Sequence, residues 1–305
     1  SNNRVESDPV KLYDGGVIFI KHNTQPLSII QCDFINNQAD CQKSLICPSL
    51  NEILIDSCNF VHSLDDGNDY SFIFIYMIEN QCQLNMNNCT FKLPSEDSSN
   101  KSPYILNSCT QNIIINNCSI SNFHDNAISI SLFDSTRSAN SFQFTNNDIS
   151  GNAQLINALN LNVQPAISGN IFHDFSLDES ATAIISINHK CNEISLENNT
   201  FTDFVRTSTD TAGVGIIVSH ADNAHFDLIF FGCFFINIQN KNNNDGGAFT
   251  YGYSNQYKNI NIKFLYCKFK GNRCTNGRGG ALAISINNEL TVSNCIFKDN
   301  YASQE

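Results

Sequence analysis

The densest group of potential metal ligands is the acidic turn Leu-Asp-Asp-Gly-Asn-Asp-Tyr at positions 64–70. Asp65, Asp66 and Asp69 surround Gly67, and carboxylate oxygens on a tight turn suit Ca²⁺. The stretch lacks the terminal Glu of an EF-hand loop, and a solvated turn has the same composition. We therefore treat these three residues as a calcium candidate beside the simpler interpretation of a solvated turn, and we expect no cofactor.

Two His-Asp pairs, His124-Asp125 and His173-Asp174, have the residue types of a catalytic dyad. Sequence neighbours on a strand point to opposite faces, and neither pair is accompanied by a serine or cysteine nucleophile at an informative spacing. Chance pairing is the better explanation of both. We expect no catalytic residues.

Thirteen cysteines could form disulfides, bind metal or pack as small apolar residues. No Cys-x-x-Cys pair accompanies a second pair or histidines, which argues against zinc. An odd total leaves at least one thiol free or bonded to another chain. The positions of the cysteines become informative once the repeats of the chain are aligned.

A unit of 23 to 34 residues recurs ten times, aligned on a Cys or Asn and an apolar residue two places later. Seven copies carry Asn or Gly just before that pair, which predicts a left-handed bend there. The first position of the pair is held by Cys32, Cys58, Cys89, Cys118, Asn147, Asn170, Asn199, Cys233, Cys267 and Cys295.

Short alternating runs before and after each bend, with a further strand near a glycine pair, predict three strands and three bends in each unit. Units too small to bury their own apolar faces stack into a solenoid. The sequence thus predicts an all-β fold, a right-handed parallel β-helix of the pectate-lyase-like kind. Ten coils would form one domain over residues 1–305 with a core ~50 Å long, crossed by a Phe ladder and a Cys/Asn ladder.

Four cysteines and four asparagines are candidates for covalent modification, as disulfides and as glycosylation sites. Cys82 and Cys109 precede successive ladder cysteines by seven and nine residues, so we predict a disulfide between them in an oxidising compartment. A bridge from Cys41 to Cys47 within one loop is a further candidate. N-glycosylation sequons begin at Asn88, Asn100, Asn117 and Asn198, and three of the four fall at the predicted bend.

Two short motifs carry a resemblance to known repeats. Gly-Gly-Ala-Leu at positions 279–282 has near matches at 246–249 and 15–18, and Phe-x-x-Asn occurs at 34–37, 269–272 and 297–300. This pairing resembles the repeats of the polymorphic outer membrane proteins of chlamydiae and of related families in trichomonad protists. The resemblance implies surface display and adhesion. A broader architectural resemblance is to β-helices that include polysaccharide lyases and hydrolases.

Composition limits the partners. A net charge of −12 argues against nucleic acid or an anionic membrane surface. No apolar run reaches transmembrane length, and we expect any export signal to have been removed or to lie outside this sequence. Because the ends of the repeat lack polar capping units, we expect the chain to be a segment of a longer protein, or its ends to meet other chains.

The outward residues of the strand after the glycine pair indicate whether such a β-helix would be catalytic. Alternation places Ala281, Ala283 and Ser285 outward, which leaves a small, nearly uncharged face without a carboxylate pair or a base beside one. Tyr251, with Tyr253 and Tyr257, would form an exposed aromatic patch.

We therefore expect a non-catalytic extracellular or cell-surface protein. It would act as a spacer, an adhesin or a filament-forming scaffold, contacting a protein or glycan or associating end to end. A carbohydrate-active or carbohydrate-binding β-helix is the alternative.

Overall fold

The chain folds into a parallel β-helix of ten coils, seen in a computed structural model. Every described secondary-structure element is a strand, and every described strand pair is parallel. The structure describes residues 4–5, 18–19, 26–35, 38–39, 45–46, 52–61, 71–75, 83–92, 104–108, 112–123, 128–130, 141–151, 156–161, 164–177, 184–207, 216–220, 224–241, 245–251, 260–284 and 289–304.

The strands that precede the left-handed bend form a ten-stranded sheet, the bend-entry sheet. Its apolar residues alternate with polar ones, so one face is buried in the helix core and the other is outward. Its strands, in spatial order, are Leu27–Ile30, Glu52–Asp56, Gln83–Asn87, Asn112–Asn116, Ser141–Thr145, Ala166–Ser168, Glu193–Glu197, Phe226–Phe231, Ile260–Leu265 and Leu290–Ser293.

The strands that follow the bend form a second ten-stranded sheet, the bend-exit sheet. Each of the first nine contributes one apolar side chain to the core, and Phe297 of the last strand is exposed. Its strands are Asp33–Ile35, Asn59–Val61, Thr90–Lys92, Ser119–Phe123, Asp148–Gly151, Ile171–His173, Thr200–Thr202, Phe234–Ile236, Lys268–Lys270 and Ile296–Lys298.

The third side of the helix is formed by the strands that precede the bend-entry strand in each unit, three of which follow a glycine pair. Eight strands make one sheet: Ile18–Phe19, Leu45–Ile46, Ser71–Ile75, Tyr104–Ser108, Ile128–Ile130, Ile156–Leu161, Ile185–His189 and Ile216–His220. Two more, Phe249–Tyr251 and Leu282–Ile284, pair with each other.

Two-residue strands add a short further side that the sequence did not predict. In the five C-terminal coils they are Ser176–Leu177, Val205–Arg206, Gln239–Asn240, Arg273–Cys274 and Tyr301–Ala302. Another pair joins Arg4–Val5 to Gln38–Ala39.

The glycine pair is a corner at which successive coils approach closely. Gly246 and Gly279 have φ of 89° and 67°, a conformation that glycine adopts without strain. The Gly246 and Gly247 amides donate hydrogen bonds to the next coil, and a Cβ on Gly247 would overlap the Gly280 carbonyl. The pair therefore serves coil stacking.

The outward positions predicted for the strand after the glycine pair are partly wrong. Ala281 is buried, as is Ala248 at the equivalent position of the preceding coil, because both lie at the corner where the backbones of neighbouring coils meet. Ser285 lies outside the described residues. Tyr251 is also buried, and its hydroxyl donates a hydrogen bond to the Val218 carbonyl at 2.8 Å. Tyr251 therefore cannot belong to an exposed aromatic patch, and Tyr253 and Tyr257 lie outside the described residues.

Candidate functional site

The left-handed bend before the ladder is present in all ten coils. The residue at this position has φ between 52° and 67° in every coil. The sequence predicted it where the residue is Asn or Gly, and the structure adds Gln31, Ser57 and Tyr266. The left-handed backbone conformation costs these three residues ~1 kcal/mol or more. Packing against the neighbouring coils therefore imposes the bend there.

The asparagine part of the internal ladder is a chain of hydrogen bonds between coils. Asn147, Asn170 and Asn199 are at most 1% exposed. The Asn147 side-chain amide donates to Asn170 Oδ1 at 3.0 Å, and that of Asn170 donates to Asn199 Oδ1 at 2.9 Å. The same two oxygens accept from the backbone amides of Asn147 and Asn170, which satisfies groups that would otherwise be costly to bury.

Cysteine and asparagine share this position because both donate to the same acceptor. The Asn147 side-chain amide reaches the Ile115 carbonyl of the preceding coil at 3.1 Å. The Cys233 thiol reaches the corresponding Leu196 carbonyl at 3.2 Å, and the Cys267 thiol reaches that of Phe230 at 3.3 Å. A short side chain with one donor is therefore the shared requirement.

The ladder thiols of Cys58 and Cys295 are poorly suited to nucleophilic chemistry. Burial raises the pKa of the Cys58 and Cys295 thiols above their ordinary value, and the thiol is a much weaker nucleophile than the thiolate. None of the nine cysteines in the described part of the chain forms a disulfide: Cys32, Cys58, Cys89, Cys118, Cys191, Cys233, Cys267, Cys274 and Cys295.

The residue two places after the ladder position stacks in the core as predicted. Phe34, Phe60 and Phe91 form one run of near-parallel rings, with centroids 4.7 and 4.9 Å apart. A second run comprises Phe172, Phe201, Phe235, Phe269 and Phe297, with spacings of 4.7 to 5.1 Å. Ile120 and Ile149 lie between the two runs.

A second left-handed bend, four residues after the ladder position, explains the Phe-x-x-Asn motif. The bend residues Asp174, Asp203, Asn237, Gly271 and Asp299 have φ between 53° and 67°. Immediately after the last two bends, the Asn272 side-chain amide donates to Asn300 Oδ1 at 2.9 Å. The repeat alignment did not predict this bend, although Asp, Asn or Gly at that offset was its signal.

Three sequon asparagines lie where the sequence predicted, exposed at the first bend. The Asn117 side-chain amide donates to Asn88 Oδ1 at 2.6 Å, and that of Asn88 donates to Asp56 Oδ1 at 2.8 Å. Asn198 is exposed at the same position of a later coil. Glycosylation of these sites remains a prediction.

His173 and Asp174 contact each other, which contradicts the expectation that they point apart. His173 ends its strand, and the left-handed conformation of Asp174 brings its carboxylate back to His173 Nδ1 at 2.7 Å. His173 Nε2 lies 3.0 Å from Asp148 Oδ1 in the preceding coil. The pair is thus a surface cross-coil contact.

A second outward cluster lies on the bend-entry sheet. Lys263 Nζ lies 2.6 Å from Asp227 Oδ2, and the Asn261 side-chain amide donates to Asp227 Oδ1 at 3.0 Å. Burial opposes ionisation of Asp227, but these hydrogen bonds outweigh it and lower the pKa of the carboxyl. The hydrogen bond to Asp227 raises the pKa of Lys263. The ladder alignment could have paired these residues, which lie in neighbouring coils.

Several predicted sites lie outside the described residues. They are the calcium candidates Asp65, Asp66 and Asp69, the disulfide candidates Cys41, Cys47, Cys82 and Cys109, the sequon at Asn100, and the pair His124-Asp125. Within the described part of the chain, no group of three or more His, Cys, Asp or Glu is placed to hold a metal ion.

Comparison with known proteins adds no relative. No protein-family model, curated protein or solved structure matches the chain. Among the residues that the structure describes, no helix is long and apolar enough to cross a membrane.

Proposed function

We propose that this chain is a non-catalytic scaffold that works outside the cell or at its surface, as a stiff spacer whose outward faces and loops bind a partner. The observation that carries this proposal is the internal ladder. Asn147, Asn170 and Asn199 direct their amides at neighbouring coils. The groups most deeply buried along the ladder are thus engaged in stacking coils, and contacts with other molecules fall to the outer surface.

Surface labelling tests the location. Antibodies raised against the purified chain are expected to label intact, unpermeabilised cells that produce the natural protein. Protease added outside such cells should remove the label. Labelling that requires permeabilisation would contradict the proposal.

A carbohydrate-active β-helix is the second candidate, and the Asp227–Lys263 cluster is the observation that favours it. A carboxylate and a lysine on the outer face of one sheet are the residue types that polysaccharide cleavage by such a fold would use. The ion pair with Asp227 argues against Lys263 as a catalytic base, however, because its raised pKa keeps Lys263 protonated at neutral pH.

Incubation with a polysaccharide panel decides between the two candidates. The purified chain, with and without Ca²⁺, is expected to release no new reducing ends from neutral or acidic polysaccharides. Release that is lost in Lys263→Met would establish the enzyme and overturn the scaffold.

A further inference from the structure

Positive charge is concentrated at the C-terminal end of the helix. Residues 258–305 hold seven of the 17 Lys and Arg but three of the 29 Asp and Glu, a formal net charge of +4 in a chain of −12. Such asymmetry indicates a local partner of opposite charge. Interactions of exposed charges fade beyond ~8 Å at physiological ionic strength, so an anion at this end is largely screened from the acidic remainder.

Three lysines of this region lie on the outer face of the bend-exit sheet. Strand register places Phe234, Lys268 and Ile296 in one outward column, and Ile236, Lys270 and Lys298 in the next. Lys270 and Lys298 are exposed and directly paired on neighbouring strands. Like charges at such positions are destabilising. Among the described residues, none of these lysines forms an ion pair.

Exposed aromatic rings lie at or next to the first bend, close in sequence to the lysines. Phe231 and Phe234 are each 40% exposed and Tyr266 is 59% exposed. The rings of Phe231 and Tyr266 lie 5.5 Å apart, centroid to centroid. We call the outward side chains of Phe231, Phe234, Tyr266, Lys268, Lys270 and Lys298 the basic aromatic face.

Tyr266 is the least expected member of this face. It has φ of 57° at a bend that seven other coils form with Asn or Gly. A bulky residue in this conformation is strained, and strained residues of this kind cluster at functional sites. Asn at this position would relieve the strain but would remove the ring.

We propose that the basic aromatic face binds an anionic polysaccharide, with sugar rings stacked on the exposed aromatic rings and carboxylate or sulfate groups paired with the lysines. The inference rests on the proposed surface function and names its partner. Lys270 and Lys298 recur at one position of neighbouring coils, ~4.8 Å apart, and strand register places the exposed ring of Phe234 beside Lys268. This combination of spaced positive charges and exposed rings matches a polymer that carries both anionic groups and sugar rings. An acidic folded protein, a second copy included, offers the charges without the sugar rings.

The binding test uses polygalacturonate, a carboxylate polymer, and heparin, a sulfated one. Isothermal titration calorimetry of the purified chain is expected to show binding of at least one polymer that weakens with added salt. Dextran, a neutral polymer, is expected not to bind. Binding of neither anionic polymer would overturn the proposal, as would equal binding of dextran.

Variants locate the site. Combining Lys270→Gln with Lys298→Gln should weaken binding about tenfold, a loss of about 1.4 kcal/mol. Lys92→Gln is the matched control, because Lys92 is exposed on the same sheet and on its outward face; it should leave affinity unchanged. Equal losses in the control and the double variant would refute the location.

The Tyr266→Asn variant tests whether the ring of Tyr266 serves binding and not the stability of the fold. It should raise or preserve the thermal unfolding midpoint, because Asn suits the left-handed bend, while it weakens polysaccharide binding severalfold. Unchanged binding would remove the ring from the proposed site.

Three further outcomes would replace the proposal. They are equal or tighter binding of single-stranded DNA, tighter binding of an acidic peptide, and salt-sensitive self-association in sedimentation velocity that the double lysine variant abolishes. Each leaves surface labelling and the reducing-end assay unaffected, so failure here is distinguishable from failure of the scaffold function.

Discussion

At the residue scale, the ladder selects side chains by hydrogen-bond geometry. Thiol and carboxamide differ in polarity, yet both reach the carbonyl of the preceding coil from this position. The carboxamide also accepts from a backbone amide of that same preceding coil, and the Asn147 and Asn170 side-chain amides donate to the coil that follows. An Asn can therefore bond to the coils on both sides, at the cost of burying more polar atoms that must all be paired.

Asn170 is the residue whose loss should be most damaging on the ladder. Its side chain accepts from the backbone and side chain of Asn147 and donates to the Phe144 carbonyl and to Asn199. Asn170→Ala should lower the free energy of unfolding by about 2–4 kcal/mol, because buried partners lose their bonds. Ile171→Ala, at an exposed neighbour, should cost no more than about 1 kcal/mol. Urea denaturation measures both, and equal effects would contradict the role of the ladder.

At the element scale, bends and corners set the path of each coil, and they differ in how much change they tolerate. The first bend accepts Asn, Gly, Gln, Ser and Tyr, since its side chain projects outward. The glycine corner is constrained by the backbone of the next coil. The same residue type, glycine, thus has two different reasons for its presence.

Two glycine substitutions should separate these reasons. Gly247→Ala would overlap the Gly280 carbonyl and should cost at least about 3 kcal/mol. Gly169→Asn should change stability by less than about 1 kcal/mol. Asn occupies the equivalent bend at Asn88 and Asn117, and the atoms it would meet belong to the mobile end of the Asn146 side chain. Thermal denaturation followed by circular dichroism compares them; a larger loss for Gly169→Asn would overturn this distinction.

At the scale of the whole molecule, stability is distributed along a row of coil-to-coil contacts, because each coil touches only its neighbours. Charge, in contrast, is distributed unevenly, with basic residues gathered at one end. A rod of this kind can bind at one place without disturbing its core, since the outward and inward side chains alternate.

Alkaline pH should lower the stability of the fold through three of its thiols. Burial raises the pKa of the Cys58, Cys274 and Cys295 thiols above the ordinary value of 9.0. The unfolded chain therefore loses these protons first, so the stabilisation is complete below pH 9 and declines as pH rises toward the folded pKa values. Urea midpoints measured from pH 8 to 10.5 should fall. The fall should be smaller in Cys58→Val, which has no proton to lose; an equal fall would show that other groups cause it.

The sequence alone determined the architecture, because ladder positions repeat with every coil and each repeat adds to the signal. Ten aligned pairs were enough to predict the parallel β-helix, its buried Cys/Asn and Phe rows, and bends at Asn88 and Asn117. Residue type also predicted the bend wherever Asn or Gly occupies it, since few other residues adopt positive φ without strain.

Because the coils differ in length, only the tertiary structure decided which residues of neighbouring coils contact each other. It imposed left-handed bends on Gln31, Ser57 and Tyr266, buried Tyr251, and brought Asp174 back to His173. It also joined Lys263 to Asp227 and gathered exposed rings and lysines onto one face. These contacts depend on strand register across 23 to 37 residues of chain, and register follows from packing all the coils together.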